Sequence, residues 1–195
     1  MAGELLIPLI SAGAGLIGVA VGGYFAAFNQ KRERQQRFIR EQLGEFYGPM
    51  LALRAQIRAK SEVRVKIHGA ADHAWRKVME RGYSIGIDEV ERLDRERFPL
   101  FEKILEYNNR QLAEEIMPAY RRMEELWISK MHLAESSTRE HFRALTEFVD
   151  IWNRWLSGAI PGEVVQQLNH SEQYLLPLYE DLVTNFERLQ GNLKE

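Results

Sequence analysis

The sequence predicts an all-α protein in which one N-terminal transmembrane helix precedes an antiparallel helical bundle of about four to five helices. Two observations support this fold class. Residues 5–28 carry no charged side chain. Later segments repeat apolar residues every three or four positions, and none alternates with period two for long enough to form a convincing strand. The predicted organisation is a short extracytoplasmic N-terminus (1–4), the span (5–28), a basic juxtamembrane helix (29–60) and a cytoplasmic helical domain (61–195).

The uncharged segment from Leu5 to Phe28 is 24 residues long. As a helix rising about 1.5 Å per residue it spans roughly 36 Å, enough to cross a hydrocarbon core of about 30 Å. A cleaved secretory signal would instead have a basic start, a shorter apolar run and a small-residue cleavage site. A buried helix of a soluble core is a weaker alternative, because 24 positions that are apolar all round lead directly into a dense cationic stretch. The segment therefore predicts a membrane span.

Basic residues follow this segment directly. Residues 29–60 contain eight basic and three acidic side chains, whereas residues 61–195 contain 18 basic and 24 acidic ones. Because positive charge stays on the cytoplasmic side of a membrane, the expected topology is N-terminus out and C-terminal domain in the cytoplasm, in a bacterial inner membrane. The cations act as a topology signal alone or also bind anionic lipid headgroups. They are Lys31, Arg32, Arg34, Arg37 and Arg40.

Small residues recur at every fourth position of the predicted span, at Ala14, Gly18, Gly22 and Ala26. Small side chains let helix backbones approach closely in lipid, where packing drives association. Glycine and alanine are also common in membrane helices that stay apart. The pattern therefore indicates either a helix-packing face through which the protein forms a homo-oligomer, or ordinary span composition.

The apolar spacing continues beyond the span through residues 29–60, and Gly48-Pro49 interrupts it. Proline at 49 lacks the N–H that would bond to residue 45, and it disfavours helical geometry at residue 48. The pair predicts a kink or a break, which would act as a hinge between the anchor and the soluble domain.

Further helices are predicted along residues 61–195 from apolar spacing and from boundary residues. In order they are a helix from about Val63 that ends at Gly82, a short helix from Asp88 to Arg97, a longer helix that Pro99 opens and Pro118 kinks, a helix that the capping box Ser137–Glu140 opens and Gly158 ends, and a last helical region from about Gly162 to Leu193. The tryptophans on these helices are expected to pack in the core, and an exposed one would indicate a partner-binding groove.

No catalytic, cofactor-binding or metal-binding motif is recognisable. No histidine has a glutamate three residues before it, as a carboxylate-bridged metal site in a helical bundle requires, and no two histidines lie four apart as in a zinc protease helix. A glycine pattern, GxGxxG, lies only inside the predicted span. The absence of cysteine excludes thiol nucleophiles and thiolate metal sites. Nucleic acid is not an expected partner, because residues 61–195 are acidic overall.

These patterns favour a single-pass membrane protein whose helical domain is an interaction or scaffolding module at the cytoplasmic membrane face. Its expected partners are membrane lipids, an unidentified protein and further copies of itself. Two alternatives stay open. One is a membrane-acting effector, such as a toxin or defence protein, that oligomerises through its span. The other is an enzyme on membrane substrates that carries no recognisable motif.

Overall fold

The structure, a computed structural model, describes residues 29–168 and 171–194, and every regular element in these ranges is helical. The α-helices are α1 (residues 29–41), α2 (Gly48–Ile85), α3 (Ile87–Gln111), α4 (Met117–Lys130), α5 (Ser136–Arg139), α6 (Phe142–Leu156), α7 (Gly162–Leu168) and α8 (Leu176–Lys194). Two π-helical turns (Gln42–Tyr47, Leu112–Ile116) and two 3₁₀ turns (Met131–Leu133, Glu172–Leu175) lie between them. The predicted all-α bundle is confirmed.

The predicted span, residues 5–28, lies outside the residues that the structure describes. Within the described ranges, no helix combines the length and the apolar composition needed to cross a membrane. The predicted juxtamembrane segment is described from residue 29 onward, and it is helical.

One helix runs from residue 29 to residue 85 without interruption, because the first π turn joins α1 to α2. At about 1.5 Å per residue this long helix is about 85 Å in length. Its first half packs in the bundle, where Phe46, Tyr47 and Met50 are fully buried. Its second half pairs with α3 alone over much of its length. The long helix therefore connects the predicted anchor side of the chain to a projecting hairpin.

Both π turns end directly before a Gly-Pro or Met-Pro pair. The N–H of Gly48 donates to the carbonyl oxygen of Leu43, and the N–H of Met117 donates to that of Leu112, five residues back in each case. A proline lacks its own N–H, and its ring clashes with the carbonyl four residues before it. A wider turn at this place moves that carbonyl aside, so the helix continues through Pro49 and Pro118.

The backbone does not break at the predicted hinge. Gly48 has helical angles, φ −60° and ψ −52°, and Pro49 lies in the first turn of α2. The predicted break is therefore absent, and the π turn accounts for the difference. Motion of the domain about Gly48 and Pro49 stays a prediction.

The core lies between the first half of the long helix, α4, α6 and α8. Trp127 is at its centre with no exposed surface, and its indole ring meets Phe46 at 5.7 Å and Phe142 at 5.6 Å between centroids. Removing so large a buried ring would cost about 3–5 kcal/mol. Trp127 confirms the expectation of core packing, whereas Trp152 and Trp155 are only partly buried.

The predicted boundaries near the hairpin were wrong in two places. The first helix continues past Gly82 to Ile85, and the turn is the single residue Gly86, whose φ of 150° suits glycine. Gly82 has a packing role instead, because a Cβ there would lie 3.2 Å from Val90 Cγ2. Pro99 opens no new helix but lies inside α3 on its exposed side.

The predicted capping box was also wrong. Glu135 is the N-cap of α5 and caps it with no side-chain hydrogen bond, while Ser137 lies inside that short helix. The hydroxyl of Ser137 accepts a hydrogen bond from Asn185 of α8 instead, which is a tertiary contact. The predicted end at Gly158 is confirmed, since its φ of 74° lies in the left-handed region.

Candidate interaction surface

The second half of the long helix and most of α3 form a projecting hairpin, residues 61–107, which we call the arm. Within this range, all of which the structure describes, only Gly82 is buried. The arm nevertheless carries ten of the seventeen large apolar side chains that are exposed in the described chain. They are Val63, Val65, Ile67, Tyr83, Ile85, Ile87, Phe98, Leu100, Leu105 and Tyr107. Such a concentration is typical of a surface that meets a partner.

The tip of the arm is the most exposed of these apolar regions. Tyr83, Ile85 and Ile87 flank the turn at Gly86 and are 70–77% exposed. The turn leaves these side chains without a facing helix, because α2 and α3 pack through Gly82, Val90 and Leu93 one turn below. The tip lies at the far end of the long helix from residue 29.

One side of the arm borders a groove against the bundle. Val65 and His68 of α2, Leu105 of α3 and the two half-buried indoles Trp152 and Trp155 of α6 line this groove. The indole rings of Trp152 and Trp155 are in edge-to-face contact, 5.3 Å apart. The bundle therefore supports the base of the arm on this side.

The other side of the arm faces no element of the described chain. It is formed by residues spaced three or four apart on α2 and by residues seven apart on α3, which places each set on one face of its helix. We call this surface the open face. It consists of Val63, Ile67, Ala70 and Ala74 from α2 with Leu100 and Tyr107 from α3, all of them exposed.

A buried polar network attaches the long helix to the bundle. The backbone N–H of Glu135 donates to the hydroxyl oxygen of Tyr47 over 2.9 Å, and the Tyr47 hydroxyl lies 2.9 Å from Oγ1 of Thr138. The Thr138 hydroxyl in turn donates to the carboxylate of Asp181. Since that proton is committed to Asp181, the Tyr47 hydroxyl is the donor to Thr138, and the chain of hydrogen bonds ends on a charged acceptor. Burial raises the pKa of the Tyr47 hydroxyl, so it stays protonated as this donor.

The network extends on both sides of Tyr47. Nε2 of Gln42, in the first π turn, donates to the carbonyl of Leu133 over 2.9 Å and to the carboxylate of Glu135 over 3.0 Å. Arg188 of α8 pairs with the same carboxylate at 3.2 Å. Buried polar groups that are satisfied in this way specify one arrangement of the elements that carry them. The π turn, the segment before α5, and α8 are therefore held in one register.

A second polar contact crosses the core between α4 and α8. The hydroxyls of Tyr120 and Tyr179 are 3.1 Å apart, and the guanidinium of Arg54 lies 4.3 Å above the Tyr179 ring. Burial raises the pKa of both hydroxyls, which keeps them neutral. The Arg54 contact ties α2 to α8 a little beyond the Tyr47 network.

The predicted lipid-facing cations all lie on the surface of α1. Their side chains are exposed, while Ile39 on the same helix is buried. Arg32, together with Ile39, borders a shallow pocket near Asn192 at the end of α8. The cations thus remain accessible along a helix on which Ile39 faces the bundle and Phe38 is exposed. The predicted helix-packing residues Ala14, Gly18, Gly22 and Ala26 lie outside the described residues.

Comparison with protein-family models, with curated proteins and with solved structures returns no match. Two features of the site were missed by the sequence reasoning. The polar network left no local signal, because its residues come from three distant segments. The open face did leave a signal, a second row of apolar residues on α2 beside the row that packs on α3.

Proposed function

We propose that this protein is a single-pass, membrane-anchored interaction or scaffolding module whose helical domain lies at the cytoplasmic membrane face. The observation that carries the proposal is the arm, which exposes ten large apolar side chains on the same continuous helix that follows the predicted span. The side chains of the tip and of the open face add little to the stability of the chain itself, so a binding role accounts for them best.

The architecture supports this proposal in two ways. The cations of α1 come directly after residue 28 and are exposed, as the headgroup side of a cytoplasmic anchor requires. The polar network of Tyr47 holds the bundle against the first half of the long helix. The bundle therefore sits beside the predicted membrane surface, and the tip projects away from it by most of the length of the long helix.

Cysteine labelling tests the location and the topology together. The chain has no cysteine, so Gly3→Cys and Tyr83→Cys each introduce a unique thiol. In intact cells a membrane-impermeant maleimide should label the Gly3→Cys protein and leave the Tyr83→Cys protein unlabelled until the cells are lysed. Labelling of Tyr83→Cys before lysis, or recovery of the full chain in the supernatant without detergent, would refute the proposal.

Substitution at the tip tests the binding role. Ile85→Ser with Ile87→Ser removes the two most exposed apolar side chains of the arm without touching the bundle. The variant should keep its membrane location and its helical content while losing the partners that crosslink to the wild-type tip. Val164→Ser, which changes an exposed apolar residue on α7, serves as the matched control.

A further inference from the structure

We infer that the open face of the arm is covered by the open face of a second copy of this chain, and that the two arms form a four-helix bundle. One part of this inference, the direction of the two-fold axis, rests on the proposed function. Its other supports are the register, the side-chain sizes and the charges of α2 and α3.

The first support is the incomplete packing of the arm. Two helices alone bury a single strip of side chains, so a hairpin that is apolar on more than one side needs another layer. The bundle covers the groove side at Trp152 and Trp155, and the open face receives nothing from the described chain. The open face from Val63 to Ala74 is about 17 Å long and about 20 Å wide and offers on the order of 350 Å². That is less than half of the roughly 800 Å² per partner of a standard interface, so the rest of the contact between the copies falls to the predicted span.

The second support is the register between α2 and α3. Gly82 lies beside Val90 and Leu93, and the ring of Trp75 meets Phe98 at 5.8 Å. Because α2 and α3 are antiparallel, moving one residue back along α2 corresponds to moving one residue forward along α3. Three further pairs of residues therefore lie at the same height along the arm. These pairs are Ile67 with Tyr107, Ala74 with Leu100, and Lys77 with Glu96.

The third support is the set of contacts that these residue pairs would make between two copies of the arm related by a two-fold axis. Two arms stacked open face to open face, about an axis parallel to the arm, place α2 over α3 of the second copy at the same level. Ile67 then meets Tyr107 of the second copy, Ala74 leaves room for Leu100, and Lys77 faces Glu96. Every neighbouring helix runs antiparallel, as in an up-down four-helix bundle. A small side chain faces a large one at Ala74 and Leu100, two large side chains meet at Ile67 and Tyr107, and opposite charges face each other at Lys77 and Glu96.

The overall charge of the two helices agrees with this pairing. Residues 58–81 of α2 carry seven basic and three acidic side chains, whereas α3 carries seven acidic and five basic ones. No ion pair joins α2 to α3 among the residues that the structure describes, so neither helix neutralises the excess charge of the other. Within α3, Arg92 pairs with both Glu89 and Glu96. Stacking α2 on α3 of the second copy brings the excess basic charge of one helix next to the excess acidic charge of the other. Stacking α2 on α2 would instead place two basic helices together, and they would repel each other.

The predicted anchor selects the same axis. Two copies held in one membrane with one topology are related by a two-fold axis along the membrane normal. The long helix begins at residue 29, directly after the predicted span in the sequence. The inferred dimer takes the span and the long helix as one continuous rod, which makes this axis nearly parallel to the arm. Both anchor and arm can then pair in one dimer.

Disulfide crosslinking in isolated membranes tests the arrangement. Differently tagged full-length chains carrying Ala74→Cys and Leu100→Cys are co-expressed and oxidised, and the chain has no other cysteine. We expect a disulfide between the two tags, since facing positions on packed helices come within disulfide range. Ala74→Cys paired with Tyr107→Cys is the control, because these positions lie about 10 Å apart along the helix and should not crosslink.

Several outcomes overturn the inference. They are a monomeric chain that forms no crosslink, a crosslink of Ala74→Cys with itself, and capture of the open face by lipid or by a different protein. The crosslink is assayed in the membrane fraction and in the soluble fraction of lysed cells, wherever the protein is found. A chain that leaves the membrane but still crosslinks would refute the proposed function and keep the paired arms.

A charge exchange provides an independent measurement. Lys77→Glu and Glu96→Lys each place like charges opposite one another in a dimer of identical variants, so each variant should self-associate at least several-fold more weakly. A mixture of the two variants restores opposite charges between copies and should recover pairing between the two tags. Equal pairing in all combinations would contradict the proposed contact.

Discussion

At the residue scale, the Tyr47 hydroxyl is the centre of the contacts that hold the long helix in place. It accepts the N–H of Glu135 and donates to Thr138, which is fully buried. Losing the hydroxyl therefore leaves a partly buried N–H without its acceptor, and the buried threonine oxygen keeps only the amide of Asn185 as a donor. An unmet buried polar group costs more than the net value of the hydrogen bond itself.

We predict that Tyr47→Phe lowers the free energy of unfolding by about 1–3 kcal/mol. Urea denaturation of the detergent-solubilised full chain, followed by circular dichroism, measures this change. Tyr83→Phe is the matched control, because its side chain is 70% exposed at the tip and should alter stability by less than about 0.5 kcal/mol. Equal effects of the two substitutions would show that the network does not hold the helix.

At the element scale, the first π turn allows one helix to pass through Gly48-Pro49. The wider turn brings the carbonyl oxygen of Leu43 close to residue 48, so that a Cβ at this position would lie 2.7 Å from it. Glycine therefore fits the close approach at this particular turn, whereas the second π turn has Met117 at the equivalent position. The same turn carries Gln42 and Tyr47 into the polar network. The Gly48-Pro49 pair, which predicted a hinge, comes directly after a π turn in the half of the long helix that packs in the bundle.

We predict that Gly48→Ala destabilises the chain by about 1–3 kcal/mol, because the added methyl group meets backbone that has little freedom to move. Gly44→Ala in the same turn is the control, since nothing lies within 4 Å of its Cβ. That substitution should stabilise the helix by up to about 1 kcal/mol. Thermal unfolding of both variants gives the comparison, and a stable Gly48→Ala protein would contradict this expectation.

At the scale of the whole molecule, two separate surfaces are proposed to bring copies together. One is the small-residue face of the predicted span, and the other is the open face of the arm. Because the long helix connects them, pairing at one surface raises the effective concentration at the other. Each contact alone is then weaker than the two combined.

We predict that Gly18→Leu with Gly22→Leu, and separately Ile67→Glu, each weaken self-association without abolishing it. The three substitutions together should give a monomer, because no second contact then remains to raise the effective concentration. Energy transfer between labelled copies in liposomes, measured over a series of lipid dilutions, separates these cases. Complete loss of self-association in one of these variants alone would mean that the surface changed in that variant is the only one that pairs the copies.

Residue patterns alone determined the helical class, the apolar spacing and several ends, such as Gly158, because these depend on local periodicity and on backbone preference. They also determined the uncharged segment and the cations beside it. The course of the chain through Pro49 was decided by tertiary structure, since packing of the flanking turns outweighs a local preference against helix. The Tyr47 network and the open face were decided there as well. Which polar groups meet, and which apolar row stays uncovered, depends on contacts between segments far apart in the chain.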